Sequence, residues 1–135
     1  MDAAALIRAY LDAFNRGDRA AMLALLADDV AHDVNQGPRE VGRDAFAAFL
    51  ARMDRCYRER LEDIVVMSEP GGTRAAAEFT VLGEYVATDE GLPEARGQRY
   101  ALPAGAFYDI RDGRIARVTM FYNLHDWIAQ VSAAS

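Results

Sequence analysis

AYLDAFNRGD, residues 9–18, is the segment from which the architecture of this chain can be worked out. Apolar residues recur around it at steps of three and four, which predicts an amphipathic helix over residues 2–15. Gly17 fits the end of that helix, and Asp18 fits the N-cap of the next one. The chain is therefore expected to open with two helices joined by a tight turn. The first of them carries a phenol, Tyr10, on its apolar face.

Further along the chain, the apolar pattern changes from a helical period to an alternating one. A second helix is predicted over residues 19–27, a short strand over 30–34 and a third helix from about 42 to 57. Four longer strands are predicted over residues 61–68, 73–86, 98–110 and 114–123. The Asp112-Gly113 pair between the last two strands is typical of a hairpin turn. Residues 125–131 fit either a short helix or an extended tail.

Helices clustered ahead of long antiparallel strands indicate the α+β class. We expect a cone-shaped, curved, mostly antiparallel sheet with three N-terminal helices packed on its concave face, and one conical pocket between them. The chain has 135 residues, of which 52% are hydrophobic. That length suffices for one core, so a single domain spanning residues 1–135 is expected.

The charge balance argues against nucleic-acid and membrane partners. The chain has 15 basic and 21 acidic residues, a net charge of −6, whereas phosphate-rich surfaces are bound through basic patches. Arginines do concentrate between Arg43 and Arg60, but acidic residues alternate with them, which is typical of a solvated helix face. No run approaches the roughly 18 apolar residues of a membrane-spanning helix. No secretory signal is recognisable either, so a cytoplasmic protein is expected.

Cysteine and histidine usage predicts neither a disulfide nor a metal centre. Cys56 is the only cysteine, and its position in a helical pattern favours a structural thiol over a nucleophile. No spacing of Cys or His side chains is typical of a metal site. The sequence therefore predicts a protein that works without a cofactor.

Four segments together carry a resemblance to a known superfamily. They are residues 9–18, Leu25-Leu26-Ala27-Asp28-Asp29-Val30, the helix start Gly42-Arg43, and Phe107-Tyr108-Asp109-Ile110-Arg111-Asp112-Gly113-Arg114-Ile115. They resemble the nuclear transport factor two-like superfamily, and within it the ketosteroid isomerase and SnoaL-like polyketide cyclase branches. The resemblance covers nearly the whole chain and implies a cystatin-like fold. It does not imply one reaction, because the superfamily houses isomerases, cyclases, dehydratases, epoxide hydrolases and non-catalytic binding modules.

The resemblance implies roles for residues of the first helix and the first strand. In ketosteroid isomerases an aspartate base moves a proton next to a carbonyl, and a tyrosine stabilises the enolate oxygen. Tyr10 falls at the position of that tyrosine. The aspartate falls on Val34, with Asp33 one residue early. Strand alternation puts His32 and Val34 on one face and Asp33 and Asn35 on the other. Either a one-residue shift brings Asp33 inward, or His32 takes the place of the base.

A third catalytic group of the ketosteroid isomerases is missing. Their protonated aspartic acid corresponds to Gly105 in the stretch Pro103-Ala104-Gly105-Ala106-Phe107. Loss of one donor to the developing oxyanion costs about 3–4 kcal/mol of barrier height. Tyr122, Asn123 or His125 could supply another donor from the last strand.

Several aromatic and polar residues are candidates for a substrate-binding wall. They are Phe14, Asn35, Met53, Tyr57, Phe79, Phe107, Tyr122, Asn123 and Trp127. Each candidate also has a structural interpretation. Tyr10 and the aromatic residues could be ordinary core residues. Asp33 could be a carboxylate that stabilises a turn, and His32 could be a strand histidine whose hydrogen bonds are satisfied.

Two functions follow from these residues. The first is a cofactor-independent isomerase, cyclase or lyase acting on a small apolar carbonyl compound, with Tyr10 as oxyanion donor and Asp33 or His32 as base. The second is a non-catalytic module that binds a hydrophobic ligand or serves as a dimeric subunit. An epoxide hydrolase would need an Asp-Arg-Asp set, and beside Arg99 the sequence offers no second inward carboxylate.

A homodimer is expected through the outer sheet face, which bears Thr80, Leu82, Thr119 and Phe121.

Overall fold

The computed structural model describes residues 1–133, in which helices and strands follow the expected order with one addition. The helices are α1 (Ala3–Arg16), α2 (Arg19–Ala24), α3 (Arg43–Cys56) and α4 (Leu124–Ala133). The strands are β1 (Leu26–Asp33), β2 (Arg39–Val41), β3 (Tyr57–Ser68), β4 (Arg74–Tyr85), β5 (Gln98–Arg111) and β6 (Arg114–Tyr122). Strand β2 was not predicted from the sequence. Residues 125–131, for which a helix and an extended tail were both considered, form part of helix α4.

The first two helices end and begin where their capping residues predict. Gly17 adopts φ 73°, the left-handed conformation that glycine takes without strain, and ends α1. The Asp18 side chain accepts a hydrogen bond from the amide of Ala21 at 3.0 Å and starts α2. Asn15 then fastens α1 to β3, because its amide donates to the Leu61 carbonyl at 3.0 Å and accepts from the Leu61 amide at 2.9 Å.

The six strands form one sheet in the order β2-β1-β6-β5-β4-β3. All neighbours are antiparallel except β1 and β6, which are parallel. Strand β1 begins at Leu26, not at residue 30, because Leu26 pairs with Ile115 of β6. Helix α2 is correspondingly shorter than predicted. Strand β3 begins at Tyr57, not at residue 61, because Tyr57 pairs with Tyr85 of β4.

The sheet is curved, and its inner face carries the core. A break in the register of β3 with β4 coincides with Asp63, which has φ 53°, and such irregularities bend strands. Helices α1 and α3 pack directly against the inner face, whereas α2 packs on α1 and α3. The alternation predicted for β4 is confirmed, since Ala75, Ala77, Phe79 and Val81 are all buried.

Helix α4 is the short helix that the sequence left open as one of two alternatives for residues 125–131. The Gln130 side chain bonds both the amide and the carbonyl of Ala101, at 3.0 and 2.9 Å, which holds α4 beside β5. Trp127 consequently packs against the rings of Tyr57, Tyr85 and Tyr100. Within residues 1–133, no helix has the length and hydrophobicity needed to cross a bilayer.

Candidate active site

A cavity of about 340 Å³ lies between the helices and the concave face of the sheet. Its walls are mostly apolar and include Leu11 of α1, Phe79 and Val81 of β4, Leu102 of β5 and Met120 of β6. A pocket of this size and lining suits a small, largely hydrophobic molecule.

Tyr10 presents its phenol to this cavity from the buried face of α1. The residue is 6% exposed, and its ring meets that of Tyr108 edge-on at 6.1 Å. Burial raises the pKa of the Tyr10 hydroxyl, and the neighbouring Tyr108 raises it further. The hydroxyl is therefore protonated at neutral pH. No hydrogen bond to it is made by any group in the described part of the chain, so the proton is available to a ligand.

His32 lies in the cavity wall near the end of β1. Its ring stacks on Phe46 of α3 at 4.3 Å and meets Phe49 edge-on at 4.6 Å. Burial between these rings lowers the pKa of His32 to about 4, although the nearby Asp33 opposes the shift. The imidazole is consequently neutral at physiological pH and has one nitrogen with a free lone pair.

Asp33 points away from the cavity, which contradicts the shift that would bring it inward. Arg39 donates to its carboxylate from Nε at 2.6 Å, and the Thr119 hydroxyl donates to it at 2.6 Å. These two hydrogen bonds lower the pKa of Asp33 to about 2. Because successive residues of a strand face opposite sides, placing His32 inward forces Asp33 outward. Of the two residues that the sequence left open, the structure therefore places His32, and not Asp33, in the cavity wall.

Strand β5 offers no acid to the cavity at any of the positions considered. Gly105 pairs with Glu78 and Phe121, both exposed, so position 105 faces outward and is not the inward counterpart that the resemblance implied. The inward positions on either side are Ala104 and Ala106. The β5 residues that face the cavity here are therefore alanines, and neither of them supplies a carboxylic acid.

Seven of the nine predicted wall residues line the cavity: Phe14, Asn35, Met53, Tyr57, Phe79, Tyr122 and Trp127. Asn35 reaches it although alternation predicted the outer face, because β1 ends at Asp33 and the chain turns there. Its Oδ1 accepts from the Tyr122 amide at 3.2 Å, and its Nδ2 is buried without a partner in residues 1–133.

The other two predicted wall residues lie elsewhere. Phe107 is 48% exposed and packs edge-on against Phe121 on the outer face. Asn123 accepts a hydrogen bond from the Asp126 amide at 3.1 Å, at the start of α4. His125, the alternative donor, is exposed and does not line the cavity either.

Carboxylates that the sequence did not predict line the cavity at the β3 side. Glu59 accepts a hydrogen bond from the Tyr100 hydroxyl at 2.6 Å, and burial raises the pKa of Glu59. Asp89, 7% exposed, accepts from the Tyr57 hydroxyl at 2.8 Å. The expectation that no second carboxylate faces inward is therefore wrong. Alternation from Tyr57 would have placed Glu59 inward, had the start of β3 been recognised.

Two arginines complete the polar rim. Arg19 holds Asp54 through both Nε and Nη2, the shortest contact being 2.8 Å. Arg52 lies 3.8 Å from Asp89. Residues 1–133 contain no group of three or more His, Cys, Asp or Glu side chains arranged to hold a metal ion.

Comparison with known proteins places this geometry in a family. Residues 7–118 match the family described as the SnoaL-like domain. A candidate polyketide cyclase from Pseudomonas putida KT2440 is 62% identical, with 97% of this chain and 98% of that chain covered and a TM-score of 0.96. Another from Xanthomonas campestris pv. campestris is 64% identical over 96% of each chain, with a TM-score of 0.93.

Solved structures of lower sequence identity are similar to this chain in fold alone. An LEH-like epoxide hydrolase from M. tuberculosis shares 19% identity, with 98% of this chain and 90% of that chain covered and a TM-score of 0.72. No curated protein sequence gives a significant match. The family match spans most of the chain and the solved relatives cover it almost completely, so this chain belongs to the SnoaL-like family, with the nuclear transport factor two-like fold.

Proposed function

We propose that this protein catalyses cofactor-independent proton transfer at a carbon next to a carbonyl group, in an isomerisation or cyclisation of a small apolar molecule. The solved relatives described as candidate polyketide cyclases support a cyclase or isomerase of small molecules. The observation that carries the finer proposal is that a neutral imidazole and an unpartnered phenol face the same apolar cavity.

His32 is the base in this mechanism. A base must be unprotonated before it accepts a proton, and His32 meets that condition because burial lowers its pKa to about 4. The aromatic rings of Phe46 and Phe49 hold the imidazole in one orientation. The proton removed from carbon passes to this ring and is returned to another atom of the same substrate.

Tyr10 is the donor that stabilises the enolate oxygen. Its hydroxyl stays protonated because burial raises its pKa, and no group in residues 1–133 competes for the proton. A hydrogen bond that strengthens as charge develops lowers the barrier more than it stabilises the bound substrate. A single donor of this kind contributes about 3–4 kcal/mol.

Solvent deuterium incorporation tests the proposal whatever product the reaction forms. Apolar cyclic and aromatic ketones are incubated with the protein in D₂O, and exchange at the α-carbon is followed by NMR. We expect His32→Ala to abolish exchange and Tyr10→Phe to slow it by about 10²-fold or more. Glu78→Gln is the matched control, because this side chain is exposed on the outer face of β4, and it should retain the wild-type rate. Asp33→Asn should remain active, because the Asp33 side chain lies outside the cavity.

A non-catalytic role in binding hydrophobic ligands is the second candidate. It is favoured by the alanines at the inward positions of β5, which leave the oxyanion with one identified donor fewer than in ketosteroid isomerases. In that case the ketones bind with equal affinity to wild type and to both variants, and none of the three accelerates exchange. Equal exchange rates in wild type, His32→Ala and Tyr10→Phe would also contradict the catalytic proposal.

A further inference from the structure

Glu40 stands directly opposite His32 in the sheet. In the antiparallel ladder of β1 and β2 the two residues are partners, flanked by Ala31 with Val41 and by Asp33 with Arg39. Directly opposite residues of an antiparallel pair project to the same face. The carboxylate of Glu40 is thereby brought to the imidazole of His32 by backbone pairing.

The atoms that face each other are both buried and both without a hydrogen bond. His32 Nδ1 lies 3.8 Å from Glu40 Oε1. Within the described part of the chain neither atom has a hydrogen-bond partner. A buried polar atom that lacks a hydrogen bond destabilises the fold, because it has given up its bonds to water without replacement. Two such atoms in facing positions form a pair that a small movement closes into a hydrogen bond.

We propose that Glu40 is a positioning residue that holds His32 as the Nδ1–H tautomer and so presents the Nε2 lone pair to the cavity. This inference rests on the proposed role of His32 as the base. Nδ1 is directed at Glu40, which leaves Nε2 as the ring nitrogen available to the cavity that His32 lines. The hydrogen bond made by one ring nitrogen sets which of the two carries the proton.

The proton balance of the step is simple. The substrate C–H bond breaks, its proton is bound by Nε2, and the electron pair moves to the carbonyl oxygen. Nδ1 keeps its own proton throughout, and Glu40 remains a carboxylate that stabilises the imidazolium. When Nε2 returns its proton to the substrate, the neutral Nδ1–H tautomer is restored. Catalytic hydrogen bonds are often long without substrate and shorten in the complex, as the 3.8 Å separation allows.

Few other groups can perturb this imidazole. From α3 it is faced by Phe46 and Phe49, and from β6 its ladder partner is Val118, none of which titrates. Asp33 follows it on β1, and its charge raises the pKa of His32, but its carboxylate is held on the outer face. Glu40 is thus the carboxylate on the same face of the sheet, at the Nδ1 edge.

The tautomer can be measured by ¹⁵N NMR at pH 7 without a substrate. The chain has two histidines, so a His125→Gln background leaves the His32 signals alone. We expect the Nδ1–H form to predominate in the wild type. Glu40→Gln keeps an acceptor, so the tautomer should persist while the proton affinity of His32 falls at least threefold. Glu40→Ala should transfer at least half of the population to the Nε2–H form.

Glu78→Gln is the matched control, since Glu78 is exposed on the outer face of β4. It should leave both tautomer and proton affinity unchanged. An Nε2–H tautomer in the wild type, or tautomer populations unchanged in Glu40→Ala, would overturn the inference.

The NMR outcome is independent of catalysis, so the two proposals fail separately. If the tautomer responds to Glu40 but His32→Ala exchanges normally, the proposed function is wrong and the pairing stands. If His32→Ala is inactive and Glu40→Ala keeps the wild-type tautomer, only the role of Glu40 is wrong. If both the proposed function and the role of Glu40 are correct, Glu40→Ala lowers kcat for deuterium exchange at least tenfold with little change in KM.

Discussion

His32 and Asp33 are adjacent in sequence, yet their ionisation is perturbed by different forces. Burial between aromatic rings lowers the pKa of His32 to about 4, because a charged imidazole would lose its hydration. Hydrogen bonds from Arg39 and Thr119 lower the pKa of Asp33 to about 2, because they stabilise the carboxylate. One residue is kept neutral and the other charged, since the strand turns them to opposite faces.

The lowered pKa of His32 makes the protein less stable in mild acid. Between pH 6.5 and about 4 the unfolded histidine is protonated and the folded one is not. The unfolded state then binds more protons, so the free energy of unfolding falls as the pH falls through this window. The loss amounts to about 3 kcal/mol in total. Urea unfolding of wild type and His32→Leu from pH 7 to 4 measures it, and the variant should lack this part of the slope. Equal slopes would contradict the prediction.

Tyr10→Phe should separate stability from function. The Tyr10 hydroxyl lines the cavity and has no hydrogen-bond partner in residues 1–133, so its removal leaves no protein group unsatisfied. We expect the free energy of unfolding to stay within about 1 kcal/mol of wild type or to rise. Denaturant unfolding checks this. A loss of more than about 2 kcal/mol would mean that the hydroxyl stabilises the fold itself.

Three strands cooperate to build the acidic end of the cavity. Glu59 of β3, Gly83 of β4 and Tyr100 of β5 are successive partners across the sheet. Because Gly83 has no side chain, the Tyr100 ring lies over it and its hydroxyl reaches Glu59 at 2.6 Å. A glycine in the middle of a strand weakens it, but here it allows a close approach between neighbours.

Gly83→Ala should displace Tyr100 from this row. A Cβ at position 83 would lie 2.2 Å from the Tyr100 ring, so the ring must move and the hydrogen bond to Glu59 breaks. We expect a destabilisation of about 1–3 kcal/mol, measured by urea unfolding. Tyr100→Phe is the matched control for loss of the hydrogen bond alone and should cost less. The prediction is wrong if Gly83→Ala unfolds at the wild-type urea concentration.

The outer face of the sheet carries a continuous apolar surface. Met67, Ala76 and Phe107 are partners across β3, β4 and β5, and Phe121 of β6 packs on Phe107. Met67, Phe107 and Phe121 are 49%, 48% and 55% exposed. Thr119, expected on this face as an accessible residue, is instead 8% exposed and bonded to Asp33. Exposed apolar surface of this kind is typical of association sites.

We expect the protein to form a homodimer through this surface. A closed dimer with two-fold symmetry would pair the patch with itself and remove both phenylalanines from water. Phe121→Asp should shift the protein to a monomer, as measured by sedimentation or by gel filtration over a range of concentrations. Phe121→Leu keeps an apolar side chain and should remain dimeric. A wild type that is monomeric at every concentration would rule out this association.

Prediction from the sequence succeeded best where interactions are local. The capping of α1 and α2, the hairpin at Asp112-Gly113 and the alternation of β4 involve neighbours in the chain. The pocket wall was also largely predicted, because inward apolar positions repeat regularly along helices and strands. Phe107 was misplaced, and its position opposite Ala76 in the ladder shows that it belongs to the outer series.

The amino-acid sequence was sufficient for the α+β class, the helix ends and the phenol on α1, since each depends on residues a few positions apart. The folded structure was needed to choose between His32 and Asp33, because the inward face of β1 depends on its pairing with β6, a strand far away along the chain, as Leu26 and Ile115 show. It was equally needed to bring Glu40 to His32 and Tyr100 to Glu59. Hydrogen bonding between distant strands sets these neighbours, and the pattern within any one strand carries no information about its partner's register.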